Sequence, residues 1–192
     1  MRYVSFRRPD GTESYGRLDG ETVHDLGGPG HPVSLAEAIA QGALAGLADG
    51  EALPLAGVAL LPPIPQPGKI LCVGLNYADH IAEMGNTQVG YPAIFVRWAD
   101  SLVPHGSAIV RPRESTKFDY EGELAVVIGK AGRRIPAERA LQHVAGFSIL
   151  MDGSGRDWQR HNSQFTPGKN FMATGGFGPA RGRPDGVGGR GG

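Results

Sequence analysis

Asp119-Tyr120-Glu121-Gly122-Glu123-Leu124-Ala125-Val126-Val127-Ile128-Gly129 decides how this chain is read. The apolar run is β-branched, short and closed by a glycine, the pattern of a buried strand. Glu121 and Glu123 sit at its mouth, two residues apart. Side chains at i and i+2 of a strand share a face, roughly 6.6–6.8 Å apart along it. Two carboxylates so placed can close on one hard cation, and without a cation they repel at the edge of a low-dielectric core. Solvation at a strand end is the alternative, because Glu-x-Glu is a common pattern. A third carboxylate follows in the same register of ideas. Val144 to Met151 reads as a further buried strand, and Asp152 stands at its end before the glycine-loosened Gly153-Ser154-Gly155.

The composition narrows the classes. The 192 residues carry 19 Lys and Arg against 19 Asp and Glu, a formal net charge of zero, which argues against bulk attraction to nucleic acid or an anionic membrane. A hydrophobic share of 40% is enough for a core. The single cysteine, Cys72, excludes a disulfide framework and reads as a small buried hydrophobe. No apolar run is long enough for a membrane span, and the N-terminus lacks a signal-peptide core, so a cytoplasmic protein is expected. The 31 glycines and 15 prolines fit a loop-rich β architecture.

Residues 1–65 read as a small β-rich module. Arg2 to Phe6 alternates, Pro9-Asp10-Gly11 turns, and Ser14 to Leu18 and Thr22 to Leu26 supply partner strands. Ser34 is a helix N-cap before Leu35 to Ala40. Pro62 to Gly68 reads as a stiff linker into a second module over 69–179. That module opens with a buried strand, Lys69 to Gly74, then a short helix capped by Asn76 and ended by Gly85. On it His80 and Glu83 are i and i+3, hence neighbours on one face. A carboxylate beside an imidazole raises its basicity, as a water-activating base requires, and an exposed pair without a role is the alternative. Ala93 to Trp98 reads as a strand, and Pro136 to Val144 as a helix with Pro in its first turn. Gly168-Lys169 is not a phosphate-binding loop, since no glycine lies five residues before Gly168 and Asn follows Lys169. Residues 180–192, rich in Arg and Gly, are expected to be disordered.

Four segments together resemble the fumarylacetoacetate hydrolase family: Gly74-Leu75-Asn76-Tyr77-Ala78-Asp79-His80, Asp119 to Leu124, Asp152 to Gln159, and Pro167-Gly168-Lys169-Asn170-Phe171. The resemblance implies a mainly β fold with a few helices, a mixed β-sandwich roll beside a small N-terminal domain. It implies a divalent cation, Mg²⁺ before Mn²⁺ or Ca²⁺, on Glu121, Glu123 and Asp152. It implies that His80, supported by Glu83, activates water, and that Gln159 and Lys169 contact the substrate. The implied reaction is metal-dependent cleavage of a carbon–carbon bond in a 2,4-dioxo acid such as an acylpyruvate, as in aromatic-compound catabolism. Lys169 and the metal would stabilise the enolate that leaves. Decarboxylation, hydration or isomerisation of 2-oxo acids is the alternative within the family, and a homodimer is implied.

The chain departs from the pattern at Gly155, where a small apolar residue is usual, and after Pro179, where the family pattern stops. The expectation is therefore an incomplete sheet and a poorly active chain. A non-catalytic fragment or association module is the second class of reading. Nucleic-acid binding through Gly188 to Gly192 is the weakest, with one Gly-Arg-Gly triplet and no interleaved aromatic residues.

Overall fold

The computed structural model describes residues 1–76 and 91–182. The first module is a meander. β1 (Arg2–Arg7), β2 (Glu13–Asp19) and β3 (Thr22–Asp25) pair antiparallel in sequence order, and β4 (Ala52–Pro54) pairs with β3. The β1–β2 turn is closed by the Arg8 amide donating to the Thr12 carbonyl at 2.8 Å, with Gly11 at φ +87°. β1 buries Tyr3, Val4, Ser5 and Phe6 in succession, so both its faces are covered. Its side chains alternate between two cores. Val4 and Phe6 meet Leu18 and Val23 on one side. Tyr3 meets Tyr15, Leu26, Leu150 and Phe177 on the other, together with Leu35 and Ala38 of α1 (Leu35–Ala40). α1 begins where its cap predicts: Ser34 Oγ accepts the Glu37 amide at 3.2 Å, and the Glu37 carboxylate accepts the Val33 amide at 2.7 Å.

After β5 (Ala59–Leu60), which pairs with β1, the segment expected to be a linker is packed instead. Ile64 is buried and the Pro63 carbonyl accepts Ser5 Oγ at 2.8 Å, so proline stiffness here serves docking. β6 (Ile70–Gly74) and β7 (Ala93–Arg97) form a separate antiparallel pair. β8 (Leu102–Pro104), β9 (Phe118–Asp119), β10 (Gly122–Ile128), β11 (Val144–Met151), β12 (Ser154–Gly155), β13 (Gly175–Phe177) and β14 (Arg181–Gly182) complete the strands. One sheet runs β4-β3-β2-β1-β14-β11-β13-β8, with β10 attached to β11. The two modules therefore share a sheet through β14, which pairs with both β1 and β11. Arg181 and Gly182 were expected in a disordered tail. They are ordered because two flanking strands offer them ladder partners, a tertiary effect invisible in their composition.

Two other expectations are corrected. β10 and β6 were read as buried, yet Leu124, Val126 and Ile128 are 57%, 48% and 65% exposed, and Leu71 and Val73 also face outward. An apolar β-branched run identifies a strand but not what covers its second face. Residues 137–143 form a 3₁₀ helix and not an α-helix (Ala137–His143). None of its side chains is buried, so it lacks the packed stripe that sustains an α-helix. No helix among the described residues is long and apolar enough to cross a membrane.

Candidate active site

The register of β10 on β11 builds the site. Gly122 opposes Met151, so the residues just outside each strand, Glu121 and Asp152, lie side by side, and the Asp152 amide donates to the Glu121 carbonyl at 2.8 Å. Asp152 is 2% exposed. A carboxylate so buried must be paired, and two cations grip it. Lys169 Nζ donates to Oδ2 at 2.6 Å, and Arg97 Nη1 lies 2.5 Å from Oδ1. Lys169 Nζ also donates to Glu121 Oε2 at 3.1 Å and lies 4.9 Å from the Phe95 ring centroid. The ammonium, itself 2% exposed, is thus held between the two carboxylates and above an aromatic face.

Each cation is placed by its own element. Arg97 ends β7 and shares the buried face of Phe95, two residues earlier. It donates further to the Gly153 carbonyl (3.0 Å), Thr174 Oγ1 (3.0 Å) and Ser101 Oγ (3.2 Å). Lys169 ends the one-turn α3 (Thr166–Lys169), which crosses α2 (Arg156–Gln159) closely. Gly168 is required at that crossing, since a Cβ there would come within 2.5 Å of the Gln159 nitrogen. Arg156 starts α2 and lies 2.5 Å from Glu121 Oε1, while its Nε and Nη2 donate to Asp119 Oδ2 at 2.9 and 2.8 Å. That hydrogen bonding holds the Asp119 carboxyl below its ordinary 3.8.

Of the residues singled out from sequence, the fold brings Glu121, Asp152 and Lys169 into direct contact. Glu123 is half-buried like Glu121, while Gly122 and Leu124 between and beyond them point outward. Gln159 Oε1 accepts from Arg156 Nη1 at 2.9 Å, joining the same network. His80 and Glu83 lie outside the described residues. Arg97 and Arg156 were not singled out. The signal for Arg97 was a charged residue in register with Phe95 at the end of an apolar strand. For Arg156 it was a cation four residues after Asp152.

The donor set can be tested against a divalent cation. Three carboxylates suit a hard, oxygen-loving ion, and two of them already converge on one positive charge, the Lys169 ammonium. Among the described residues no group of three His, Cys, Asp or Glu side chains closes on a single point. The residues therefore fit such an ion in chemistry and in two of three positions.

A cavity of about 470 Å³ adjoins α3, walled by Trp98, Trp158, Pro167 and Phe171. Trp158 meets the Phe171 ring edge-on at 5.3 Å, and its indole N–H donates to the Glu114 carbonyl at 3.0 Å, so this wall is fixed. Cys72, on β6 behind the site, has its thiol pushed up to about 12, chiefly by burial and then by the Asp152 charge.

The comparisons bear on this geometry. Residues 69–189 match the model described as Fumarylacetoacetate (FAA) hydrolase C-terminal, and residues 1–63 match Rv2993c-like, N-terminal. The chain belongs to the fumarylacetoacetate hydrolase family. Oxaloacetate tautomerase Fahd2a of Rattus norvegicus is 37% identical over 193 residues, covering 94% of this chain and 62% of the relative. Oxaloacetate tautomerase YisK of Bacillus subtilis is 43% identical over 129 residues, 65% of this chain and 43% of the relative. Among solved structures, a fumarylacetoacetate hydrolase from Exiguobacterium antarcticum is 34% identical with a TM-score of 0.80, covering 96% of this chain and 67% of that one. A 2-hydroxyhepta-2,4-diene-1,7-dioate isomerase from Mycobacterium marinum is 28% identical with a TM-score of 0.76, covering 96% of this chain and 66% of that one. The chain thus spans between about four and six tenths of these curated relatives' length. The mainly β fold expected of the family is the fold observed.

Proposed function

We propose that this family member acts on a small 2-oxo acid and moves a proton between carbon and oxygen, interconverting its enol and keto forms. The observation that carries this reading is the buried Lys169 ammonium held between Glu121 and Asp152. A positive N–H donor fixed by two carboxylates costs little to reorganise when an enolate oxygen forms beside it. Lys169 would orient and stabilise that oxygen. Arg97 would hold the Asp152 carboxylate in place, so that Lys169 stays aimed. Arg156 would do the same for Glu121. The aromatic wall of Trp98, Trp158 and Phe171 would exclude water from one side of the substrate.

Glu121, Glu123 and Asp152 would hold a divalent cation, which when bound supplies a Lewis acid for the oxygens of a 2-oxo acid. The relatives named as tautomerases and isomerases favour this reaction over bond cleavage. Carbon–carbon hydrolysis of an acylpyruvate is the second reading. It shares the enolate and is favoured by the His80 and Glu83 pair in the sequence. A cytoplasmic location and a homodimer belong to the same proposal.

The test is the decay of enol-oxaloacetate, followed by ultraviolet absorbance with and without Mg²⁺. Acceleration over buffer that is lost in Lys169→Met supports the proposal. No acceleration by the folded chain, or equal acceleration by Lys169→Met, overturns it. Release of pyruvate from acylpyruvate at a faster rate than enol decay would select the second reading.

A further inference from the structure

The turn α2 (Arg156–Gln159) is four residues long, and its N-cap, Gly155, has no side chain to cap it. One helical turn does not sustain itself, because its first hydrogen bond returns less than the conformational entropy it costs. Yet this turn must place the Arg156 guanidinium, which lies against Glu121 and donates to Asp119 and Gln159. The hold comes from residues 114–117, which run alongside. The Arg156 amide donates to the Lys117 carbonyl at 2.9 Å, and the Trp158 indole N–H donates to the Glu114 carbonyl at 3.0 Å.

Between these two bonds sits Asp157. Its Oδ1 accepts the Ser115 hydroxyl at 2.6 Å and the Trp158 amide at 3.1 Å, and its Oδ2 accepts the Thr116 amide at 3.1 Å. Ser115 is 1% exposed, and a Cβ at Gly155 would lie 3.3 Å from its Oγ, so the hydroxyl is packed against the start of α2. Its hydrogen bond is the main influence holding the Asp157 carboxyl below the ordinary 3.8, so the acceptor is charged at neutral pH and its bonds are charge-assisted.

Residues 115–117 lead straight into Asp119. β9 pairs with β12, Asp119 against Ser154, and Arg156 follows two residues after Ser154. Asp157 therefore ties down both partners of the Arg156–Asp119 ion pair, the turn that carries the guanidinium and the segment that carries the carboxylate. The pair itself is partly exposed, 23% and 47%, and such pairs contribute little alone. Its geometry depends on what holds the two segments together.

We infer that Asp157 is a positioning residue of this site: by clamping α2 to residues 115–117 it holds the Arg156 guanidinium against Glu121. The effect on turnover rests on the enol–keto reading proposed above, whereas the clamp does not.

The test reads Arg156 directly. In the ¹H–¹⁵N spectrum of the full chain, the Arg156 Nε–H signal, assigned by its absence in Arg156→Gln, should be shifted from that of free arginine and slow to exchange with water. Asp157→Ala should move it toward the free-arginine position. Ser115→Ala, which removes the same bond from the other side, should move it the same way and serves if Asp157→Ala does not fold. Asp157→Asn, which keeps an acceptor for Ser115, should hold it in place. Oxalate affinity and enol–keto kcat/KM should fall by about tenfold or more in Asp157→Ala, since a misplacement of about 1 Å costs up to about 10²-fold. Asp157→Asn should retain most of both. The double variant Asp157→Ala/Arg156→Gln should be no weaker than Arg156→Gln alone, because a residue acting through Arg156 then has nothing left to position. An Nε–H signal unmoved in Asp157→Ala and Ser115→Ala, Asp157→Asn as damaging as Asp157→Ala, or losses that multiply in the double variant overturn the inference. So does a moved signal with unchanged oxalate affinity and turnover, since Arg156 then has no part in the site. If the unmodified chain shows no enol–keto turnover, the reaction fails, and the Nε–H signal still decides whether Asp157 holds Arg156.

Discussion

Replacing Arg97 by Met should be the most damaging single change near the site. The guanidinium is buried, with hydrogen bonds to Asp152, Gly153, Thr174 and Ser101. Met keeps much of the volume and deletes every donor. Asp152, 2% exposed, then keeps one cation where it had two, and a neighbouring carbonyl and two hydroxyls lose partners. Breaking a buried ion pair by removing one partner costs about 3–5 kcal/mol. At about 2–4 °C per kcal/mol for a chain of this size, the melting temperature should fall by about 6–20 °C. Arg97→Lys keeps a charge near Asp152 but loses the planar fork, and should cost about 1–3 kcal/mol. Adding Asp152→Asn to Arg97→Met removes the stranded charge, so the double variant should be about 1–3 kcal/mol more stable than the sum of the singles. Urea denaturation of the unmodified chain, Arg97→Met, Arg97→Lys, Asp152→Asn and the double variant measures this. A loss under about 1 kcal/mol in Arg97→Met, or strict additivity in the double variant, would refute the claim that Arg97 sustains Asp152.

Three further outcomes are expected. The Cys72 thiol, raised from 9.0 to about 12, should have about 10³-fold less thiolate at pH 8 than an ordinary thiol, so iodoacetamide should label it far more slowly in the native than in the denatured chain. Comparable rates would show that the thiol is not buried. The Asp119 carboxyl is depressed below 3.8 by Arg156, so it contributes stability above about pH 4 that is lost as pH falls through its folded value. Melting temperatures between about pH 5 and pH 2.5 should therefore fall less steeply for Asp119→Asn than for the unmodified chain. Leu124 and Ile128 are exposed on the outer face of β10, so Leu124→Lys and Ile128→Lys together should change stability by less than about 1 kcal/mol while reducing concentration-dependent light scattering. A large loss of stability would mean that this face is covered.

The sequence was informative where chemistry depends on local register. Glu121 and Asp152 were legible as strand-end residues, because a carboxylate just beyond an apolar strand has few structural uses, whereas Lys169 was singled out only through the family resemblance. Ser34 marked the start of α1 through its cap, and Asp10-Gly11 marked the first turn. What was not legible depends on partners distant in sequence. Arg97 lies 55 residues from Asp152, and nothing in Ala93–Arg97 says which carboxylate its guanidinium will meet. Arg181 and Gly182 became a strand only because β1 and β11 flank them. Leu124 and Ile128 looked interior by composition, and only their place in the sheet shows them facing out.

The central claim is that Lys169, fixed by Glu121 and Asp152, is the anion-binding point of a 2-oxo acid site. Oxalate, a planar mimic of a 2-oxo acid enolate, tests it most directly by calorimetric titration in the presence of Mg²⁺. The account predicts that oxalate binds the unmodified chain and that Lys169→Met, with unchanged circular dichroism, weakens it by about tenfold or more, the loss of one charge-assisted bond. Oxalate affinity unchanged by Lys169→Met, or no oxalate binding by the folded chain, would contradict it.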